Sequence, residues 1–350
     1  MKILQIITLS ELGGAQSVVI NLANQLSANH EVIVAAGAGD GKMWELLDES
    51  ITKEHIPSLV RELSPLNEIR TIIAFRKLYK KYKPDIVHLH SSKAGLLGRI
   101  VFPKEKIVYT VHGFDSIRIA HRKFLPLERA LQKRCSAIIG VSDYDKSNLI
   151  AEGITNNVGV VYNGIQKPKD LGLQDPFKSL GTKPRVLCIA RLSPPKNHML
   201  FLQVAKLLPD INFIWVGNLE EPNFQIPDNV YFKGNIPNAG SYIKYVDILI
   251  LPSNYEGLPM VIIEAMAMSK PVIASNVGGI SEIVRNGENG YVLSNKADLF
   301  AEKIKQLLED KNLYSSFCKA SFQSFQSRLT VDSMVDGYLK VYNKLINKQI

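Results

Sequence analysis

The chain has 350 residues, of which 46% are hydrophobic and 21% are charged, a composition that is ordinary for a soluble globular protein of about two domains. Its three cysteines, Cys135, Cys188 and Cys318, are scattered along the sequence, which argues against a disulfide framework and fits a reducing cytosol. No apolar stretch reaches the roughly 18 residues of a membrane span, and the first apolar run meets Ser10 and Glu11 too soon for a signal peptide.

Basic side chains outnumber acidic ones by 42 to 33, and the formal net charge of +9 favours anionic partners. Two segments in the first half concentrate this charge. The first has Arg70, Arg76, Lys77, Lys80, Lys81 and Lys83, and the second has His121, Arg122, Lys123, Arg129, Lys133 and Arg134. Because neither carries a nucleic-acid motif or interleaved aromatics, docking on an anionic membrane leaflet is favoured over nucleic acid, with a plain solvated face as the alternative.

The first half alternates short apolar runs with amphipathic stretches. We predict helices between the strands, for instance at 15–27 and 67–82. The predicted strands are residues 2–7, 31–36, 85–89, 106–111, 137–141 and 158–161. Such alternation predicts a mostly parallel sheet with helices on both faces.

Residues 166–184 interrupt this pattern with prolines and glycines, and we interpret them as an interdomain linker. The alternation then restarts, with strands predicted at 185–190, 212–216, 230–232, 246–251 and 271–275, followed by helices at 297–307, 313–328 and 331–347. The predicted fold class is α/β, with two Rossmann-like domains that face each other across a cleft. Their predicted bounds are 1–165 and 185–330, with a C-terminal helix in 331–350 that packs back on the first domain.

A glycine pair, Gly13 and Gly14, lies between the first strand and the first helix. Glycines at this point allow backbone amides to approach a phosphate beside the helix N-terminus. The spacing is not that of a dinucleotide fingerprint, and a plain tight turn is an equally good interpretation.

Histidines end two neighbouring strands of the first half. His88 and His90 alternate along one strand and therefore point to the same face, where too few further ligands are evident for a metal, so we predict buried hydrogen-bonding histidines. Lys93 follows at a helix start and is a candidate contact to an anionic acceptor. His112 ends the next strand and either contacts a reacting sugar or is a satisfied loop histidine.

The aspartates of Ser142-Asp143-Tyr144-Asp145 have the spacing of a metal site. Ser142 more simply caps the helix that follows, with Asp143 and Asp145 favouring its N-terminus. We therefore predict no metal.

Two constellations follow strands in the second half. Arg191 and Lys196 lie five positions apart in a proline-stiffened loop, where the forked guanidinium and the ammonium suit a diphosphate and would stabilise its departure; a solvated basic loop is the alternative. Glu256 and Glu264, with seven residues between them, place one carboxylate in a loop and one in an apolar helix at a strand end. Carboxylates accept hydrogen bonds from hydroxyls, so the pair suits a sugar and a ribose, with a loop acid and a solvated helix acid as the alternative.

Together these runs resemble the retaining glycosyltransferases of family 4 (GT4), which have the GT-B fold. The strongest part of the resemblance is the segment 256–264 followed by Pro271-Val272-Ile273-Ala274-Ser275 and Gly278-Gly279. A less specific match, at 85–99 and 109–115, is to members that build capsule, exopolysaccharide or lipid-linked oligosaccharide. The chain departs from the family at Asn197 and Ser269, where glycine is common.

The resemblance implies a role for each matching position of the donor site. Arg191 and Lys196 would hold the diphosphate and act in catalysis, and Glu264 would bind the ribose. Glu256 would contact the transferred sugar and act in catalysis. The donor contacts near it would be Gly257 and the backbone of Leu258, Pro259 and Met260.

In the first domain the resemblance implies that His112 sits at the sugar as a catalytic residue. Gly13 and Gly14 would approach the diphosphate and the acceptor, and His90 and Lys93 are candidate acceptor contacts. No cofactor is implied beyond the nucleotide-sugar cosubstrate, which we expect to be UDP-linked.

The expected activity is that of a hexosyltransferase, retaining and metal-independent, with a hydroxyl of a glycan or of a polyprenyl-diphosphate-linked acceptor as the second substrate. The expected location is the cytoplasm, peripheral on the inner leaflet of the plasma membrane. Two other functions stay open at this stage: a sugar-nucleotide epimerase of similar architecture, and a non-catalytic nucleotide-sugar-binding protein.

Overall fold

The computed structural model describes residues 1–168 and 172–347. The chain divides into two compact units, the first formed by Met1–Gly164 with the C-terminal helix and the second by Ile165–Thr330. Within the described ranges, no helix combines the length and the apolar character that crossing a bilayer requires.

The first unit contains a parallel sheet of seven strands in the order β3-β2-β1-β4-β5-β6-β7. The strands are β1 Lys2–Ile7, β2 Glu31–Ala36, β3 Thr52–His55, β4 Ile86–His90, β5 Ile107–Val111, β6 Ala137–Gly140 and β7 Val158–Val160. The helices are α1 Gly14–Ser27, α2 Lys42–Glu45, α3 Pro65–Tyr82, α4 Ser92–Val101, α5 Leu125–Leu131, α6 Asp143–Ala151 and, last in the chain, α12 Val331–Asn347. The central strands are buried along their whole length, as strands covered by helices on both faces are.

The second unit repeats this plan with six parallel strands in the order β10-β9-β8-β11-β12-β13. The strands are β8 Arg185–Ile189, β9 Asn212–Val216, β10 Val230–Phe232, β11 Ile248–Leu251, β12 Val272–Ser275 and β13 Gly290–Leu293. The helices are α7 His198–Leu207, α8 Met260–Ala267, α9 Ile280–Ile283, α10 Ala297–Glu309 and α11 Lys311–Arg328. The predicted pair of Rossmann-like α/β domains is thus confirmed.

Two strands escaped the sequence-based prediction. β3 reads Thr-Lys-Glu-His and lies at the edge of its sheet, where side chains remain exposed and no apolar pattern is needed. β13 begins at Gly290, directly after a turn at 287–289. A Cβ on Gly290 would lie 2.3 Å from the carbonyl oxygen of Val272, so glycine serves the close approach of two strands here.

The segment predicted as a linker packs in its described part on the second unit. Phe177 is fully buried, and a guanidinium nitrogen of Arg185 lies 2.7 Å from a carboxylate oxygen of Asp175. Helix α12 packs against α1 in the first unit, where the Gln25 amide donates to Asp332 at 2.8 Å.

Both positions at which the chain departs from the family have a left-handed backbone conformation. Asn197, between a 3-10 turn and α7, has φ +49°, and Ser269, just after α8, has φ +58°. The amides of Ser269 and Lys270 donate to the carbonyls of Met266 and Ala265, which is the hydrogen-bond pattern of a Schellman helix end. Glycine adopts this conformation without strain, and this explains why it is common there.

Candidate functional site

In each sheet the strand order reverses at one point, between β1 and β4 in the first unit and between β8 and β11 in the second. A parallel sheet opens a crevice beyond the carboxyl ends of its strands at such a point. The Arg191–Lys196 loop follows β8 and the Glu256 loop follows β11, so the topology brings these two segments of the second unit together.

The contact between them is direct. Lys196 Nζ lies 2.5 Å from Glu256 Oε1, and Ser253 Oγ donates to the same oxygen at 2.7 Å. Both charged side chains are largely buried, with 26% and 10% of their surfaces exposed. Solvent screens a largely buried pair of opposite charges less than a surface pair, so this contact joins the two loops.

The proline-rich loop is attached to the Glu256 loop through its own carbonyls. The amide nitrogen of Asn254 donates to the carbonyl of Pro195 at 2.7 Å, and its side chain donates to Pro194 at 3.1 Å. Asn295, after β13, donates to the Ser253 carbonyl at 3.2 Å. The two prolines thus stiffen a loop that is held against the segment after β11, which Asn295 holds in turn.

Close backbone contacts explain the glycines Gly278 and Gly279, which follow β12. A Cβ on Gly278 would lie 2.2 Å from the carbonyl oxygen of Glu256, and its φ of +59° also favours glycine. The Gly279 amide donates to the carbonyl of Gly257 at 2.8 Å. The backbone around Glu256 is therefore clamped from two sides.

Glu264 lies on α8 with a half-buried side chain. Its carboxylate lies against Gly240, where an added Cβ would be 2.8 Å from Oε2. Burial raises the pKa of this carboxyl from 4.5 to about 7. Among the described residues, none donates a hydrogen bond to it, so its oxygens are available to hydroxyl groups of a ligand.

The other donor-site positions flank these carboxylates. Arg191 follows β8 directly and is exposed. Gly257 is half-buried, Leu258 is buried, and Pro259 precedes Met260, the first residue of α8. The structure thus gathers the predicted donor residues around one switch point, although their roles stay predictions.

In the first unit the histidines form two buried groups of hydrogen bonds, one around His88 and one between His90 and His112. His88 Nδ1 bonds the Tyr342 hydroxyl at 2.6 Å, and His88 Nε2 bonds Thr110 Oγ1 at 2.7 Å. His90 Nδ1 bonds His112 Nε2 at 3.0 Å. The prediction of buried, hydrogen-bonding histidines is confirmed for His88 and His90.

Burial also sets the protonation of these rings. It lowers the pKa of His112 to about 4, and it lowers the pKa of His90 well below its ordinary value, with His88 and His112 adding to the effect. Both rings are therefore neutral at physiological pH. A neutral His112 can donate or accept a hydrogen bond to a sugar, but it does not bring a positive charge.

The remaining first-unit positions lie near the switch point of their sheet. Gly13 precedes α1 and Gly14 begins it. Lys93, one residue into α4, donates to the carbonyl of Glu62 and lies 3.1 Å from the Glu68 carboxylate. Its charge is thus already compensated, and contact with an acceptor would require it to leave Glu68.

The alternative of an Asp-x-Asp metal site is not what the structure shows at Asp143 and Asp145. Ser142 Oγ accepts from the amide of Asp145 as the cap of α6, and the Asp145 carboxylate accepts from the amide of Phe114 at 2.7 Å. Whether the reaction needs a metal stays a prediction.

Ser253 was missed by the sequence analysis. Its signal is a polar residue placed directly after an apolar strand and three positions before the carboxylate that it bonds.

Comparison with known proteins agrees with the geometry. Residues 12–167 match the family described as Glycosyltransferase Family 4, and residues 174–323 match Glycosyl transferases group 1. The UDP-Gal:alpha-D-GlcNAc-diphosphoundecaprenol alpha-1,3-galactosyltransferase of Escherichia coli is 30% identical, over 88% of this chain and 88% of its own. The capsular polysaccharide biosynthesis glycosyltransferase CapM of Staphylococcus aureus is 24% identical, over 89% and 90%.

A solved structure extends the likeness to the fold. The Anabaena protein HepE, in complex with UDP-glucose, superposes with a TM-score of 0.84 at 22% identity, over 98% of this chain and 100% of that one. The chain therefore belongs to glycosyltransferase family 4, and its two Rossmann-like units are those of a GT-B glycosyltransferase.

Proposed function

We propose that this glycosyltransferase moves a hexose-type sugar from a UDP-linked donor to a hydroxyl of a glycan or polyprenyl-diphosphate-linked acceptor, with retention of configuration and without a metal. The product would enter cell-surface polysaccharide or oligosaccharide synthesis. The observation that carries the proposal is the Lys196–Glu256 contact at the switch point of the second unit, between the loop that also holds Arg191 and the loop that leads into the helix of Glu264.

The proposed transfer breaks one bond at the anomeric carbon and forms another. The bond from the anomeric carbon to the diphosphate breaks, and its electron pair leaves with the diphosphate oxygen. Arg191 and Lys196 stabilise that developing charge, as fixed cations at a leaving group do. The acceptor oxygen then bonds the anomeric carbon on the same face, and its proton passes to the departing phosphate.

Glu256 and Glu264 are assigned to hydroxyl groups of different parts of the donor. Glu256 accepts hydrogen bonds from the sugar once Lys196 turns to the diphosphate, and Glu264 accepts them from the ribose. From the first unit, we assign neutral His112 to a hydrogen bond with the sugar, Gly13 and Gly14 to the diphosphate and acceptor, and His90 to holding His112 in place.

The uridine assignment and the acceptor class are supported by relatives. The Escherichia coli relative is named for UDP-galactose and a diphosphoundecaprenol acceptor, and the structural neighbour HepE was solved with UDP-glucose. We further propose that the enzyme works in the cytoplasm, at the inner leaflet of the plasma membrane, because a polyprenyl acceptor is anchored there.

The first test is thermal stabilisation by UDP, GDP, ADP and their sugars, with Glu264→Ala as the control variant. A shift with UDP compounds that the variant loses is the expected result. A shift with GDP or ADP alone would refute the uridine assignment. With a donor that binds, product stereochemistry by NMR tests retention, and EDTA followed by magnesium or manganese tests metal independence.

A further inference from the structure

Helix α3 of the first unit has an outward face with an unusual composition. Its inward side buries Thr71, Phe75 and Leu78. With about 3.6 residues per turn, the opposite side is formed by aliphatic residues in the first half of the helix and by lysines in the second half. These outward residues are Leu66, Ile69, Ile73, Lys77 and Lys80.

The aliphatic side chains on this face are largely exposed to solvent, so packing on the core does not explain why these positions are apolar. Leu66, Ile69 and Ile73 have exposed fractions of 68%, 57% and 46%, and Leu63, just before the helix, has 69%. A helix packed on a core normally presents polar residues outward. Three aliphatic residues on one exposed face, with a fourth just before the helix, indicate a surface that meets an apolar partner.

The same face is surrounded by cations that no acid compensates. Arg70, Arg76, Lys77 and Lys80 are exposed, and none of them has a carboxylate within salt-bridge distance among the described residues. The single acid of the helix, Glu68, is bonded to the Ser64 amide and lies beside Lys93.

The second basic segment differs in this respect. Arg122 and Arg129 both bond the Glu152 carboxylate, at 2.8 and 2.9 Å, and these cations lower the pKa of that carboxyl. Part of its charge is therefore already compensated. This segment and the residues just before it also have two exposed aliphatic residues, Ile119 and Leu127, with exposed fractions of 56% and 40%. Leu63 and α3 together present four, so the combination of exposed aliphatic residues and uncompensated cations is more extensive on α3.

We propose that Leu63 and the outward face of α3 form the surface by which this enzyme docks on an anionic bilayer. The aliphatic side chains enter the boundary between headgroups and acyl chains, and the cations meet lipid phosphates, as in amphipathic interfacial helices. A second copy of the chain fits this face poorly, because the basic patch and the net charge of +9 repel another copy. The inference deepens the proposed function by locating its membrane partner, but docking itself needs no sugar chemistry.

The test is flotation of the full chain with vesicles of phosphatidylcholine, alone and with phosphatidylglycerol. We expect binding to the mixed vesicles only, and loss of binding at high salt. Because each well-placed cation strengthens binding about fivefold, Lys77→Glu with Lys80→Glu should weaken it at least about 25-fold. Leu66→Ser with Ile69→Ser should weaken it by about tenfold or more.

Matched control variants distinguish an effect of this face from a general effect of lower net charge or lower surface hydrophobicity. Lys311→Glu with Lys319→Glu changes the net charge equally on exposed positions of α11, and Leu207→Ser removes an exposed leucine of α7. These controls should bind like the wild type.

Three outcomes would overturn the proposal: wild-type binding by the α3 variants, an equal loss in the α11 control, or equal binding to neutral vesicles. The thermal shift with UDP, measured on the same samples, keeps this result distinct from the donor assignment, since the α3 variants should retain it.

Discussion

Glu264 predicts a pH dependence for nucleotide binding. Burial raises the pKa of its carboxyl to about 7 in the free protein, so at pH 6 only about a tenth of the molecules carry the carboxylate. Ribose hydroxyls donate hydrogen bonds, and the carboxylate is the form that accepts with both oxygens. UDP should therefore bind the ionised form, and its affinity should fall about tenfold for each pH unit below 7.

The same carboxyl affects stability in a defined direction. Its folded pKa lies above the unfolded value of 4.5, so the stabilisation that it contributes is fully present below pH 4.5 and is lost as the pH rises through 7. The rise from 4.5 to about 7 corresponds to about 3 kcal/mol. Glu264→Gln, which carries no ionisable proton, should remove this part of the pH dependence.

The assay is isothermal titration calorimetry with UDP from pH 6 to pH 8, in two buffers that differ in ionisation enthalpy. Close to one proton should be released by Glu264 per UDP bound at pH 6, and almost none at pH 8. Because phosphate itself titrates near pH 6, Glu264→Gln measured in parallel supplies the contribution of the ligand. Identical proton release by the wild type and the variant would refute the assignment of Glu264 to the ribose.

Three further predictions concern single positions. Lys196→Ala should lower turnover by at least ~100-fold, since one charge stabiliser at a leaving group is worth that much, and near wild-type turnover in a transfer assay would contradict its role. Ser269→Gly should raise the free energy of unfolding by about 0.5–1 kcal/mol in urea titrations, because φ is +58° there; no gain would mean that the serine is unstrained. Glu128→Ala should cost about 3–5 kcal/mol, since it leaves the fully buried Arg99 guanidinium without its 2.7 Å partner; Arg99→Met combined with Glu128→Leu should recover most of that loss.

Much of the fold follows from local patterns in the sequence. Strands covered by helices on both faces must be apolar nearly throughout, so β1, β2 and β9 could be predicted at their observed bounds. The edge strand β3 could not, because a strand with an exposed face needs no apolar run.

The candidate site was predictable in its residues but not in its contacts. Loops that follow parallel strands gather at one sheet edge, and this places Arg191, Lys196 and Glu256 in one region once strand order is known. Strand order itself is a tertiary property. The 2.5 Å contact of Lys196 with Glu256 and the role of Ser253 depend on β8 and β11 being neighbours, which nothing local to either strand specifies.

The sequence by itself determined the two α/β halves, the positions of the charged and glycine-rich loops, and the cap at Ser142, because periodicity and capping act within a few residues. Only the tertiary structure decided that Tyr342 bonds His88 across 254 positions and that Gly278 must lack a side chain beside Glu256. It also decided that the outward face of α3 remains exposed. Burial and close approach depend on residues far apart in the chain, and these set the protonation of Glu264 and His112.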